Sequence, residues 1–301
     1  MKHALRPVWM LSLAFMAMLV LSAAVLSPRE RDVIKHTFDV RPGETLFLDL
    51  DRGHVEVEVT DASKVFIELE RVAQAESKEA ARELLEQFHT YEFEREDRRG
   101  VHIRSRVDEN RRGFSFRRNP KIKIHVRVRV PEAYNVNFSN GAGNIEITDV
   151  NGNIIGETGA GAIQIEDVRG EVEITSGAGN VEINGEITRA KVTTGAGNVE
   201  LHGVAGEIIA TTGTGNVYAE ITAQPQQDSK LRTGAGNVTV SIADDVSVNL
   251  NGSTRLGNVE CEFPIQVSKK FLSHSFSGQI NGGGARIEMY VAVGNVIVKR
   301  R

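Results

Sequence analysis

Three groups of residues in this chain of 301 have the types and spacing to do chemistry. The first is a column of side chains, Glu146, Gln164, Glu182, Glu200 and Glu260, each standing at the same place after a Gly-rich turn. Carboxyls about 5 Å apart raise each other's pKa unless they are solvated or bridged by a cation, and a pair at that spacing suits a retaining glycosidase. No aromatic sugar platform accompanies them and neither member of a pair has a distinct setting, so the column reads as a solvated acidic face.

The second group is the turns themselves. A Gly-rich loop cradles phosphate when a helix follows it and a Lys-Ser/Thr pair ends it, and neither is present here. Calcium-binding β-rolls repeat every nine residues and place Asp beside the turn. This chain reads Gly-Ala-Gly-Asn-Val-Glu, with an apolar Val where an oxygen ligand is wanted. No metal site and no cofactor are implied. The third group is basic. Between Arg98 and Arg129 twelve Lys or Arg stand against Asp108 and Glu109. Arg111, Arg112, Arg117, Arg118, Lys121, Lys123, Arg127 and Arg129, with Phe114 and Phe116 interleaved, suit an anionic envelope glycan or a lipid headgroup. The competing reading is a strand that pairs with acidic neighbours or guards a sheet edge. His36, His54, His89, His102, His125, His202 and His274 are scattered, and none has a partner at a metal-ligand spacing that stands out. Cys261 takes an inward repeat position and reads as a buried, inert thiol. No catalytic triad is visible.

The elements that position these groups are repeats. Gly-Ala-Gly-Asn or a near variant begins at Gly141, Gly159, Gly177, Gly195, Gly213 and Gly234, with a degenerate copy at Arg255-Leu256-Gly257-Asn258 and an isolated echo at Val293-Gly294-Asn295-Val296. The turns are built by Gly141, Gly143 and Asn144; Gly177, Gly179 and Asn180; Gly195, Gly197 and Asn198; Gly213, Gly215 and Asn216; and Gly234, Gly236 and Asn237. Four successive intervals are identical, so side chains align. Ile145 and Ile147, Ile163 and Ile165, Val181 and Ile183, Val199 and Leu201 each alternate with polar residues. No 18-residue unit can bury such a face alone, and stacking in register buries it as a β-solenoid. Thr158, Ser176, Thr194, Thr212, Thr233 and Thr254 form one expected ladder. The Asn residues form another, each in the left-handed region with its amide bonded to the next. Whether a coil has two strands or three stays open.

Before the repeats, residues 33–131 read as a β-rich region with one short helix over 77–88 that Ser77 caps. Ile122, Ile124, Val126, Val128 and Val130 alternate there with the basic residues. The region is expected to cap one end of a solenoid that spans 132–301 and closes in a C-terminal cap. Lys2, His3 and Arg6 precede an apolar run from Trp9 to Val25, the pattern of a secretory signal over 1–24 with small Ser22 and Ala24 before the cleavage point. If uncleaved, the run is a membrane anchor. Either way the chain is extracytoplasmic, in the periplasm, at the cell surface or secreted, which makes nucleic acid an unsuitable partner.

The signal segment, the strand region with its Ala/Glu helix, the Lys/Arg strand ending in Val130-Pro131 and the repeated Thr-Gly-Ala-Gly-Asn-Val-Glu together resemble a bacterial "putative adhesin" family of β-strand repeats whose function is unknown. The resemblance implies an extracytoplasmic, non-enzymatic β-solenoid and carries over no catalytic residue. Members commonly show Gly-Asp where this chain has Gly-Asn. The expected class is therefore all-β, and the expected function is adhesin-like surface binding or scaffolding in the cell envelope. Two alternatives stand beside it. One is a carbohydrate-active lyase or hydrolase on a β-helix, which the uniform coils disfavour; the other is a self-assembling envelope scaffold.

Overall fold

The computed structural model describes residues 28–87, 89–107, 121–269 and 273–301. The expected signal segment and Arg111, Arg112, Arg117 and Arg118 lie outside the described residues. What is described is an all-β solenoid with one short helix.

A regular coil is a strand, a corner that is Gly-Asn at most places, and a second strand, so two ladders run along the molecule. The middle of the stack follows chain order. The strand β8 (Asn135–Ala142) turns into β9 (Ile145–Thr148), and β10 (Ile154–Ala160) turns into β11 (Ile163–Ala178). The long strands β11, β12 (Val181–Ala196) and β13 (Val199–Thr214) each leave one ladder and enter the other. They are followed by β14 (Val217–Ile221), β15 (Ser229–Ala235) and β16 (Val238–Ile242). Parallel register places Ile145 on Ile163, Val181, Val199, Val217 and Val238, all at most 1% exposed. A short third side contributes Val150, Val168, Ile187 and Val204, also buried.

Both ends depart from chain order. At the first, β2 (Thr45–Leu50) and β3 (His54–Thr60) form a coil directly against β8 and β9. The chain then runs outward through β4 (Lys64–Gln74), the helix α1 (Lys78–Gln87) and β5 (His89–Glu96). It returns as β6 (Gly100–Val107) and β7 (Lys121–Pro131), which stack in parallel on β2 and β3. Antiparallel β5 closes one ladder on β6, while β4 and β1 (Arg29–Asp39) close the other on β7. The Ser77 hydroxyl accepts from the Ala80 N–H at 3.1 Å, the expected N-cap. Buried Glu44 accepts two bonds of 2.8 Å from Arg95, tying the start of β2 to β5. Pro131 thus marks a change in charge and turn chemistry, while one apolar core runs through it from Val40 to Val298.

The other end repeats the device. The strands β17 (Val248–Leu256) and β18 (Val259–Cys261) form the outermost coil, closed by antiparallel β20 (His274–Ile280) and β19 (Gln266–Lys269). The final pair, β21 (Ala285–Val293) and β22 (Val296–Arg300), is threaded back between that coil and β15 and β16. The copy at Arg255 therefore does not follow Gly234 in space. The supposed echo at Val293 does, because Gly294-Asn295 fits the same corner.

The corner explains the repeat. The second Gly of each unit has a φ of +130° to +147°, and a Cβ on it would fall under 3.0 Å from the carbonyl of the Gly in the coil beneath, as Gly197 shows against Gly179. The Asn residues do not take the left-handed region, which among the described non-Gly residues is found only at Arg98, Asp149, Asp167 and Asn281. Instead each Asn Oδ1 accepts the backbone N–H of its counterpart one coil on. These bonds run Asn180 to Asn198, to Asn216, to Asn237, to Asn295 and to Asn258, at 2.9 to 3.0 Å. The column has one gap. Ala162 donates its N–H to Asn144 Oδ1 at 3.1 Å but has no side-chain oxygen to offer Asn180.

Two outcomes follow for thermal unfolding. Ala162→Asn fills the gap and raises stability by about 1 kcal/mol; an unchanged or lower Tm would show that these bonds contribute nothing net. Gly197→Ala costs about 3 kcal/mol or more, because neither the φ nor the carbonyl beneath can yield without shifting a coil.

Candidate functional site

Strand alternation decides which side chains reach the outer faces. On β3, Val55 and Val57 point inward and His54, Glu56 and Glu58 outward; on β7, Val126 and Val128 point inward and His125 and Arg127 outward. Parallel register sets His54 beside His125, Glu56 beside Arg127, and Glu146 of β9 on the far side of Glu56. Antiparallel β4 brings Glu68 opposite Arg127. Neighbouring strands lie about 4.8 Å apart, so these side chains are forced into one row.

The row alternates in charge. Lys35 Nζ lies 2.8 Å from Glu68, Arg127 Nη1 is 3.7 Å from Glu68, and Arg127 Nε donates to Glu56 Oε2 at 2.8 Å. The other oxygen, Glu56 Oε1, lies 2.9 Å from His125 Nε2 and 3.3 Å from His54 Nε2. Glu146 Oε1 approaches His54 Nε2 at 3.7 Å. The imidazole rings are 4.7 Å apart, and His54, Glu56 and His125 are all partly buried. Burial pushes the Glu56 carboxyl up, but the Arg127 hydrogen bond and the fields of His125 and Arg127 outweigh it and hold the group below its ordinary value of 4.5.

The sequence-derived basic strand is thus partly consumed. Arg127 is absorbed by Glu56 and Glu68, Arg129 stacks 5.0 Å from the Phe66 ring, and Lys123 is exposed. Lys121 opens β7 opposite Gln74. The acidic column is in register from Glu146 through Gln164, Glu182 and Glu200. It then passes to Tyr218, Thr239 and Ile297 before reaching Glu260, so Glu260 is remote from the others. Glu182 and Glu200 are exposed, and Gln164 donates to Glu166 at 2.7 Å. Cys261 is half-buried rather than fully enclosed, and that burial raises its thiol pKa. The structural turn residues Gly141 to Asn237 all lie at the corner described above.

The His/Glu cluster was legible in one respect. Gly53-His54-Val55-Glu56 is a copy of Gly-Asn-Val-Glu, with His in the Asn place, and Val55 stacks on Ile145 accordingly. Nothing in the linear order places His125 next to it.

Glu56 and Arg127 share one bond, so Glu56→Gln and Arg127→Met should each destabilise by roughly 0.5–1 kcal/mol and together cost less than the sum. The folded pKa of Glu56 is depressed, so its stabilisation is present above pH 4.5 and is lost as pH falls through the lower folded value. Denaturant unfolding of the four proteins at neutral and acid pH measures this; a coupling that persists when the carboxyl is protonated would contradict it.

A comparison with curated proteins finds no match. Among solved structures, one described as a putative adhesin from Bacteroides fragilis is 11% identical over 89% of this chain and 97% of its own, with a TM-score of 0.44. One described as a putative lipid binding protein from Parabacteroides distasonis is 12% identical over 89% and 96%, at 0.36. A putative cell adhesion protein from Clostridium sporogenes is 10% identical over 90% and 100%, at 0.28. TM-scores this low carry no argument about this chain. The family comparison does: the Toastrack DUF4097 family matches residues 45–299, which takes in the out-of-order coils at both ends as well as the regular repeats, and the chain belongs to that family.

Proposed function

We propose that this chain is a non-enzymatic, extracytoplasmic surface protein of the cell envelope, an adhesin-like rod that binds a partner without transforming it. One observation carries the reading: among the described residues one cluster of buried apolar side chains runs through the coils from Val40 to Val298, so their interior is packing core. Two surface depressions among the described residues have volumes of about 310 and 340 Å³. Charged side chains line them, several already in ion pairs, such as Lys35, Glu68 and Arg127 in one and Arg95 in the other. Long flat strand faces favour recognition of an extended partner over catalysis in a cleft. The Lys2-to-Val25 pattern supports export, by cleavage or as an anchor.

The partner is an anionic glycan or a lipid headgroup, met by the basic segment. Lys123 is exposed, Lys121 stands two residues before it, and the Arg pairs at 111–112 and 117–118 adjoin them in sequence. Arg127 contributes little because its charge is already matched.

Co-sedimentation with anionic vesicles and retention on an immobilised sulfated glycan, each at low and high salt, test this. Binding should weaken at least about tenfold at high salt. It should disappear when Arg117, Arg118, Lys121 and Lys123 are all replaced by Glu. Unchanged binding in that variant would remove the basic segment from the reading, and turnover of a polysaccharide by the wild-type chain would remove the non-enzymatic part.

A further inference from the structure

The row on β7, β3 and β9 contains more than ion pairs. Two imidazoles and a carboxylate meet within it: one ligand atom each of His54, Glu56 and His125 lies within 4.8 Å of the other two, and Glu146 approaches His54 from outside that group at 3.7 Å. We infer that His54, Glu56 and His125 form a three-ligand binding site for a divalent transition-metal ion of the zinc class.

Ligand chemistry selects the ion. Two imidazole nitrogens with one carboxylate oxygen suit zinc and its neighbours, whereas calcium and magnesium call for oxygen throughout. Geometry agrees. Zinc bonds of about 2.0–2.1 Å in a tetrahedron place neighbouring ligand atoms roughly 3.3 Å apart. The distances here are 3.3 Å from His54 Nε2 to Glu56 Oε1 and 2.9 Å from His125 Nε2 to the same oxygen. Although His125 Nε2 is enclosed and close to Glu56 Oε1, it makes no hydrogen bond of acceptable angle. A metal ion would satisfy that nitrogen.

The supporting groups act in two directions. Arg127 Nε fixes Glu56 Oε2 and leaves Oε1 turned to the histidines, the outer-shell orientation that metal carboxylates need. Arg127 Nη2 also lies 3.4 Å from His125 Nδ1. Coordination through Nε2 places the ring proton on Nδ1, so this long contact must be given up while the Glu56 bond stays. Three protein ligands leave the fourth position to water. The ion would fasten β3 of the out-of-order coil to β7, because the ligands come from those two adjacent strands. This inference is independent of the proposed binding function and of the basic segment.

The test is calorimetric titration of Zn²⁺ into the chelator-treated full chain carrying no polyhistidine tag, with Co²⁺ absorption as a coordination readout. One Zn²⁺ per chain, a raised Tm and a tetrahedral Co²⁺ spectrum are expected. His54→Ala and His125→Ala should each weaken binding at least about 100-fold, and Glu56→Gln about tenfold or more. His202→Ala should change nothing. If His125→Ala fails to fold, His54→Asn and Glu56→Gln decide the matter. The inference is overturned by no saturable binding, by equal affinity in the ligand variants, or by a Tm rise that Ca²⁺ matches.

Discussion

The fold depends on how closely one backbone can lie on another at a corner. Two coils approach until the carbonyl of a Gly in one lies where the Cβ of the next would be, so only Gly can stand there. That contact fixes the register of both adjoining strands, and register fixes everything outward of it. Val stacks on Val inside, Asn bonds to Asn at the corner, and on the outer face each side chain meets its counterpart one coil away. A slip of one residue would turn every apolar column to solvent.

Sharing one register has a chemical side as well. A uniform repeat produces columns of like side chains, as with Glu182 over Glu200, and such columns are solvated surface. Mixed chemistry arises where the repeat degenerates, and the His/Glu cluster sits there. In the coil of β2 and β3 the Asn place is taken by His54, and beside it lies a strand, β7, that carries no repeat motif at all. Regular coils set the spacing and irregular ones supply the different side-chain types.

The sequence made the regular coils plain and the ends obscure, for physical reasons that particular residues show. Ile163, Val181 and Val199 recur at equal intervals, and parallel stacking turns that period directly into contacts. The pairing of His54 with His125 has no such signal, since it depends on a chain that leaves the stack, makes a cap and returns. At the far end equal intervals misled. Gly236 and Gly257 look consecutive, yet Gly294 lies between them, because strand order in space is set by which surfaces remain open when each segment docks. Basic character at Arg127 was legible and its consequence was not: whether a cation is free depends on Glu56 and Glu68, which come from two other strands.

The threading of β21 and β22 between earlier coils also bears on how the molecule is made. A solenoid whose coils all follow chain order can grow vectorially, each new turn docking on the last as it emerges from the ribosome. Here the outermost coil has no seat until residues 285–300 have been synthesised and inserted. Its earlier-made strands must wait, or dock on β15 and β16 and be displaced. A chain shortened by those few residues would lack a layer from within the stack, leaving a cap with nothing beneath it. Residues 285–300 are thereby an interior layer of the stack, although they come later in the chain than the coil that covers them.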